Sequence, residues 1–406
     1  MVAAEILKVF YAPHKVFKEI VQKPSYIAPL IVLVLFVIVQ FGSSYVVASR
    51  SFIEQTMPTA VQKDAWTENA TLWTAGSGVV ISENNFDFIN ASAYYNNTSI
   101  EFKASNSSGM QIALTALDGS VNCGADGFKN MSFRTKILEP STKPENVTLF
   151  LYSLSDSNYF TYDLTAAFSN YTANVWNNIT VPVGSGSWLT NGVPNWENVT
   201  SLRIDFQWES ESNLDLLIDG LFFRGIYKTP IEINGSAYLL SSALGSATDF
   251  LLQWVVLAAV MFLLIKGLKA SVFWKPLMIS VGVALIILVV QSLALLAAFS
   301  TLPNLYYPIE VLAGVSGEFE AAYKVLVDSV ASVNTITGAV QVIILAWNVA
   351  LGAFIVREVT SVVPPTLDES APSVSQPLSL TRSFIVSVGS VLLTFLLTLV
   401  LQSLGF

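Results

Sequence analysis

The sequence is poor in the side chains that build most catalytic and metal centres. Its 406 residues contain one cysteine, Cys123, and one histidine, His14. A single cysteine excludes an intrachain disulfide. The fold of an external domain must then be stabilised by burial of its core and not by covalent links. The topology derived below places His14 and Cys123 on opposite sides of a membrane. Neither a His/Cys zinc site, a Cys–His nucleophile nor a Ser–His–Asp triad can then be assembled.

Charged residues are also scarce. They make up 12% of the chain, against 53% hydrophobic residues and a mean hydropathy of +0.57, so much of the chain is expected to contact a lipid bilayer. The net charge of −9 is concentrated in residues 48–249, which hold 20 Asp and Glu but only 10 Lys and Arg. An acidic segment of this kind repels phosphate backbones, which excludes nucleic acid as an expected partner.

Five apolar runs are long enough to cross a bilayer as helices. They lie at residues 27–47, 244–265, 276–299, 336–356 and 384–404. The runs therefore predict an α-helical membrane bundle. Its first transmembrane helix is residues 27–47, and residues 243–406 contain the other four. The region between them, residues 48–242, is a separate domain.

Positive charge in the short flanking segments predicts the orientation. Basic residues cluster before the first run, after the second and at the end of the fourth: Lys8, Lys15, Lys18, Lys23, Lys266, Lys269, Lys275 and Arg357. By the positive-inside rule these segments face the cytoplasm. The expected protein is a multi-pass cell-membrane protein with a cytoplasmic amino terminus, and with residues 48–242 and the carboxyl terminus outside.

Residues 1–26 form a cytoplasmic amphipathic segment in this interpretation. Apolar residues recur at helical spacing between lysines, at Ile6, Val9, Phe10, Phe17, Ile20 and Val21. The pattern fits a helix in the membrane interface or one packed against the end of the bundle.

Polar side chains inside the predicted spans are few, mainly Gln253, Gln291, Gln341 and Asn348, and no ionisable group lies at mid-membrane depth. Proton relays and coupled ion sites usually need such groups, which argues against a pump. The amides are expected to hydrogen-bond between helices.

The external region changes character at about residue 64. Short alternating runs separated by turn-rich pieces continue to about residue 228, which predicts an all-β extracellular sandwich of the jelly-roll type. Its end, "NWENVTSLRIDFQW" followed by "LDLLIDGLFFRG", resembles the final strands of jelly-roll carbohydrate-binding modules. That resemblance implies a structural calcium ion on Asp219, with Glu83 or Asp87 as partners. The alternative for Asp219 is a carboxylate that caps backbone amides near a turn.

Two further features concern carbohydrate, one its binding and the other its covalent attachment. Trp188, in the loop "GSGSWLTNG", is the candidate for glycan contact, although aromatics in sandwiches are more often core. Eleven external asparagines stand in Asn-x-Ser/Thr, which predicts N-glycosylation. They are Asn69, Asn90, Asn96, Asn97, Asn106, Asn130, Asn146, Asn170, Asn178, Asn198 and Asn234.

The membrane half resembles the Ypt-interacting protein (Yip) family of five-span proteins, in its prokaryotic and archaeal form. The resemblance is carried by "VFYAPHKVFKEIVQKPSYIAPLIVL", "KGLKASVFWKPLMISVGVALI" and "AWNVALGAFIVREVTSV". The family has a short loop where this chain has its sandwich. The acidic-Tyr-Gly-Pro segment of eukaryotic members is missing, so binding of small GTPases is not carried over.

Together these features predict a non-enzymatic membrane scaffold that displays a glycosylated, glycan-binding sandwich to surface glycans or surface-layer proteins. A small-solute permease is the first alternative. A surface glycan hydrolase is the second, suggested by the carboxylate pairs Glu209/Glu211 and Asp215/Asp219. No cofactor other than structural calcium is expected.

Overall fold

The chain forms two compact units in the computed structural model, which describes residues 6–91, 93–115, 117, 119–184, 186–361 and 377–403. The helical unit comprises residues up to Ser51, Thr229–Asn304 and Ser329 onward. The β unit comprises Phe52–Lys228 and Leu305–Asp328. Residues 1–5 of the predicted amino-terminal segment and residue 404, the end of the predicted fifth span, lie outside the described residues.

Nine helices can be placed among the described residues: α1 Pro13–Gln22, α2 Ile27–Arg50, α3 Pro230–Asn234, α4 Ser236–Gly267, α5 Trp274–Ala284, α6 Ile286–Phe299, α7 Ile309–Ala313, α8 Glu318–Thr360 and α9 Leu380–Ser403. Five segments are long and apolar enough to cross a membrane, judged by length and composition: α2, α4, α5 with α6, α8 and α9. The five apolar runs of the sequence fall in these segments. Helix α4 begins eight residues before the predicted start at residue 244.

Helix α1 buries the apolar stripe that the sequence predicts. Val16, Phe17, Ile20 and Val21 are buried in one cluster with residues of the bundle, while lysines occupy the other face. Of the two interpretations of this segment, packing against the bundle is the one that the contacts support.

Small residues allow the helices to approach closely. A Cβ at Gly282 would lie 2.5 Å from the Trp254 ring, and one at Gly352 would lie 2.2 Å from Ser387 Oγ. The Trp254 indole donates a hydrogen bond to the Met278 carbonyl at 2.7 Å. These contacts are typical of helix packing in lipid, where close van der Waals contact replaces the hydrophobic driving force.

The β unit is antiparallel and confirms the predicted sandwich. Its strands are β1 Ser51–Met57, β2 Trp73–Ala75, β3 Val79–Asn84, β4 Ser99–Leu114, β5 Asn130–Glu139, β6 Asn146–Ser153, β7 Ser155–Asp163, β8 Asn177–Pro182, β9 Leu189–Asn191, β10 Val199–Lys228 and β11 Leu305–Tyr307. One sheet has the order β3-β4-β10-β5-β8, and the second has the order β2-β4-β10-β6-β7-β9.

Strands β4 and β10 belong to both sheets. Residues 100–104 of β4 pair with 214–218 of β10 in the first sheet, and residues 109–114 pair with 202–207 in the second. Alternate side chains from both sheets meet in one buried cluster, for example Phe102 and Phe133 from the first and Leu149 and Ile204 from the second. Each sheet therefore buries one face against the other, as in a sandwich.

Residues 305–328 complete the β unit, although they follow the third apolar helix in sequence. Strand β11 neighbours β1 at the edge of the assembly. Glu54 on β1, whose side chain is 1% exposed, accepts hydrogen bonds from Arg224 Nε at 3.0 Å and from the Ile309 amide at 2.7 Å. Arg224 also pairs with Glu310 at 2.6 Å. Glu54 and Arg224 thus join three separate segments of the chain.

Removing the charge of Glu54 should destabilise the β unit. In a Glu54→Gln variant the half-buried Arg224 loses its buried ionic partner, and we expect the free energy of unfolding to fall by about 2–3 kcal/mol. The exposed Lys324–Asp328 pair serves as the control, since Asp328→Asn should change stability by less than about 0.5 kcal/mol. Urea unfolding of the full chain in detergent, read by proteolysis of the β unit, measures both. Equal effects would contradict a structural role for Glu54.

Candidate functional site

The outer face of the second sheet carries a group of aromatic and charged side chains. On β6 and β10 the buried residues alternate with residues that point away from the core, because successive side chains on a strand face opposite sides. Phe150, Tyr152, Tyr159, Arg203 and Asp205 project from neighbouring strands of this face. We call these five residues the aromatic face.

The strand register brings them into contact. Phe150 is paired with Arg203, and Tyr152 is paired with Tyr159. The Tyr159 ring lies 5.7 Å from Phe150 and 5.6 Å from Tyr152, measured between centroids. The Arg203 guanidinium carbon lies 4.0 Å from the Phe150 centroid, and Arg203 Nε is 3.0 Å from Asp205 Oδ1.

These side chains are half-buried and keep free hydrogen-bonding capacity. Within the described residues, no hydrogen bond is recorded for the terminal nitrogens of Arg203 or for the Tyr159 hydroxyl. Burial raises the pKa of Tyr152 above its ordinary value, so its hydroxyl stays protonated and can donate. Asp205 accepts a hydrogen bond from Gln111 Nε2 at 3.1 Å, which helps to fix the orientation of its carboxylate.

Such a surface suits a flat ligand that is rich in hydroxyl groups. Aromatic rings present a negative π-face, against which the C–H bonds of a sugar ring can stack. Guanidinium and carboxylate groups offer charge-assisted hydrogen bonds in fixed directions to hydroxyls at the ring edge. The aromatic face combines both kinds of group on one rigid sheet.

A second group lies at the other sheet. The carboxylate cluster consists of Asp64, Glu68 and Asp219, which each offer one oxygen within 4.8 Å of the others. Asp64 and Glu68 flank a short 3₁₀ turn after β1, and Asp219 lies on β10. Gly220, at φ +57°, follows Asp219 and makes a bulge in which its amide donates to Asp219 Oδ1 at 2.6 Å.

Backbone amides satisfy only part of the cluster. The Ile89 amide donates to Asp219 Oδ2 at 2.7 Å, and the Asn96 amide donates to Asp64 Oδ1 at 3.0 Å. Asp64 is fully buried, yet its Oδ2 has no hydrogen-bond partner among the described residues. An unpartnered buried carboxylate oxygen is costly unless a cation or a proton is present.

The carboxyl groups of this cluster hold protons more tightly than usual. Burial, and then the neighbouring Asp219, raise the pKa of Asp64, and burial raises the pKa of Asp219. Burial and the charge of Asp64 raise the pKa of Glu68 to about 7. The described part of the chain places no lysine or arginine in an ion pair with any of the three.

The cluster therefore fits a hard divalent cation. Three carboxylates supply one oxygen each to the cluster, and calcium takes carboxylate oxygens in flexible geometry, with carbonyl groups or water completing six to eight ligands. Asp64 Oδ2 would gain a partner, and the mutual repulsion of the carboxylates would be neutralised. Calcium would act here as a structural link between the turn after β1 and strand β10.

The residues predicted from the sequence are only partly brought together. Asp219 does lie in the cluster, but its neighbours are Asp64 and Glu68. Glu83 instead accepts a hydrogen bond from the Ala70 amide, and Asp87 pairs with Lys136 and the Trp176 indole. The spacing of Asp64 and Glu68 carries no metal motif, so only the fold could reveal them.

Trp188 lies in the core instead of on an exposed loop. It is 9% exposed, its ring centroid is 4.9 Å from Tyr162 and 5.3 Å from Trp196, and its indole donates to the Pro182 carbonyl. The sequence analysis does not identify the aromatic face, because its rings belong to Phe150, Tyr152 and Tyr159 and not to tryptophans. The period of two in "TLFLYS" was the available signal.

None of the eleven sequon asparagines is buried. Eight are exposed, namely Asn69, Asn90, Asn97, Asn106, Asn146, Asn170, Asn178 and Asn234. Asn96, Asn130 and Asn198 are half-buried. Their accessibility is compatible with modification, and their occupancy stays a prediction.

No protein-family model and no curated protein matches the chain. Among solved structures, it is similar to a family 11 carbohydrate-binding module from Clostridium thermocellum in complex with a β-1,3-1,4-mixed-linked tetrasaccharide, at 12% identity, TM-score 0.28, over 43% of this chain and 96% of that one. It is also similar to an agarase, AgWH50C, at 9% identity and TM-score 0.28, over 40% of this chain and 25% of that one. Similarities at these scores do not assign a function.

Calcium should stabilise the β unit more at higher pH. The carboxyl groups bind protons more tightly when folded than when unfolded, so the cation-free protein loses stability as pH rises from about 4.5 through about 7. Calcium competes with those protons. We expect it to raise the melting temperature of the β unit by about 5 °C or more at about pH 8, and by less at about pH 5.

Two variants test the assignment. Asp64→Asn should abolish the calcium response and stabilise the EDTA-treated protein at about pH 8, because it removes a buried negative charge. Asp126→Asn, an exposed carboxylate outside the cluster, should behave as the wild type. Differential scanning calorimetry of the full chain in detergent measures all of these. An unchanged calcium response in Asp64→Asn would place the ion elsewhere.

Proposed function

We propose that the chain is an integral membrane protein that uses the aromatic face of its extracellular sandwich to bind glycans. The observation that carries this proposal is a half-exposed sheet face on which three aromatic rings contact one another. On it Arg203 lies over Phe150 and is paired with Asp205. The ligand would be a surface polysaccharide or the glycan of a surface-layer protein. Calcium at the carboxylate cluster would stabilise the sandwich without touching the glycan.

The chemistry favours recognition over hydrolysis. Of the carboxylates considered for a hydrolase, Asp215 lies 3.5 Å from Lys103 and Asp219 belongs to the buried cluster. Two close carboxylates in an open cleft are what glycoside hydrolysis usually requires. The aromatic face offers Asp205, whose carboxylate is already paired with Arg203, so we propose a non-enzymatic role.

The helical unit is proposed to act as a Yip-like membrane scaffold. Its five apolar helices and the charge of the flanking segments support a cytoplasmic amino terminus. The acidic, sequon-rich composition of the β unit supports an external position for that unit in the same topology. Residues 52–228 and 305–328 fold together, so both must lie on one side of any membrane. The charge-based orientation places both outside.

Glycan binding can be tested with the full chain in detergent on immobilised polysaccharides of several classes. For any polysaccharide that binds, Tyr159→Ala should weaken binding by about tenfold through the loss of stacking area. Arg203→Met, which keeps the aliphatic stem, should weaken it by a similar factor through the loss of charge-assisted hydrogen bonds.

The matched control is Phe86→Ala, since Phe86 is 97% exposed and lies outside the aromatic face. It should bind as the wild type does. Binding that is equally weakened in the control, or unaffected by both test variants, would rule out the aromatic face as the recognition surface.

The proposed topology can be read by cysteine labelling, because the only natural cysteine is buried. We expect a membrane-impermeant maleimide to label Phe86→Cys in intact cells. Lys269→Cys, which lies in the segment between α4 and α5, should react only after permeabilisation. Labelling of Lys269→Cys in intact cells would reverse the proposed orientation.

A further inference from the structure

The helical unit contains a cavity of about 300 Å³ that the glycan proposal does not use. It lies between helices α4, α8 and α9, with Leu285 at the junction of α5 and α6. Its apolar wall includes Leu257, Leu345 and Val391. Its polar lining comprises Asp249, Gln253, Asn348, Thr394 and Thr398.

Two polar groups in this lining, the buried Thr394 and the exposed Asp249, have no partner among the described residues. Thr394 is 5% exposed, and its Oγ1 forms no hydrogen bond within the part of the chain that the structure describes. The neighbouring Thr398 hydroxyl instead bonds back to the Thr394 carbonyl at 2.8 Å. Asp249, whose side chain is exposed, takes part in none of the ion pairs among the described residues. A carboxylate and an unsatisfied hydroxyl thus face the same space.

The depth of these residues follows from helix geometry and rests on the membrane orientation proposed above. Asp249 lies about 25 Å before Lys266 along α4, and Asn348 about 13 Å before Arg357 along α8. In a hydrocarbon core about 30 Å thick, the cavity then runs from the middle of the membrane to its outer boundary. Ionisable residues within membrane helices usually face the interior of the bundle or a water-filled cavity.

The lining suits a particular class of ligand. Asp249 supplies the one formal charge, which is negative, while the amides of Gln253 and Asn348 and the Thr394 hydroxyl supply neutral oxygens. Leucine and valine side chains form the remainder of the wall. This combination matches a cation that also has apolar surface, and the cavity volume exceeds that of a bare metal ion.

We propose that the helical unit binds a small organic ammonium group in this cavity, with Asp249 as its counter-ion and Thr394 and Asn348 as further oxygen ligands. The group can belong to a free solute or to the headgroup of a phospholipid. Both present the same ammonium chemistry, and the choice of bilayer in the experiment distinguishes them.

The test uses the full chain in phosphatidylglycerol nanodiscs, with choline as the probe and 3,3-dimethylbutan-1-ol, its uncharged isostere, as the matched control compound. Choline should raise the melting temperature of the helical unit in a saturable manner, whereas the isostere should not. Equal shifts with both compounds, or no shift with choline, would overturn the proposal.

Variants locate the site. Asp249→Asn should weaken choline binding by at least about tenfold, because it removes the counter-ion without changing the shape of the side chain. Thr394→Val should weaken it by about threefold through the loss of one hydrogen bond. Thr248→Val, an exposed threonine next to Asp249 on the same helix, should bind as the wild type. Wild-type affinity in Asp249→Asn would refute the assignment.

Repeating the titration in phosphatidylcholine nanodiscs separates the two sources. A choline shift that disappears there would mean that the lipid headgroup occupies the cavity, whereas an equal shift would identify a free solute as the ligand. Polysaccharide binding measured on the same preparation reports on the sandwich alone. Failure of the ammonium site is therefore distinguishable from failure of the glycan proposal.

Discussion

Strand β10 is the element on which the β unit depends. Over its 30 residues it pairs with β4 and β6 in one sheet, with β4 and β5 in the other, and with β1 near its end. It contributes Arg203 and Asp205 to the aromatic face, Asp219 to the carboxylate cluster and Arg224 to the ion pairs that hold β1 and α7. Because one strand positions all of these, a shift of its register by one residue would move each side chain to the opposite face.

The two candidate sites of the sandwich use opposite physical conditions. At the aromatic face, rings and charges remain half-exposed, so a ligand can displace water from them at little structural cost. In the carboxylate cluster, burial of Asp64 and Asp219 disfavours the ionised forms and leaves an oxygen without a partner. Such a site gains most from a bound cation, because the cation removes a penalty that folding itself creates.

The helical unit illustrates how side chains that are distant in sequence can line one cavity. The predicted second span, residues 244–265, contains Asp249 near its start, away from mid-membrane depth. Helix α4 in fact begins at Ser236 and carries Asp249 on a regular helical turn. The neighbouring helices then bring Asn348 and Thr394, distant in sequence, to the same cavity.

Local pattern was enough to predict five apolar segments, the amphipathic stripe of α1 and the sandwich, because hydropathy and side-chain alternation depend on near neighbours in sequence. The choice of Trp188 as a surface residue failed because burial depends on which sheet covers a loop. The partnership of Asp219 with Asp64 and Glu68, the aromatic face and the inclusion of residues 305–328 in the β unit involve contacts across many residues of chain. Only the tertiary structure could decide these contacts, since strand register and helix packing fix which distant side chains meet.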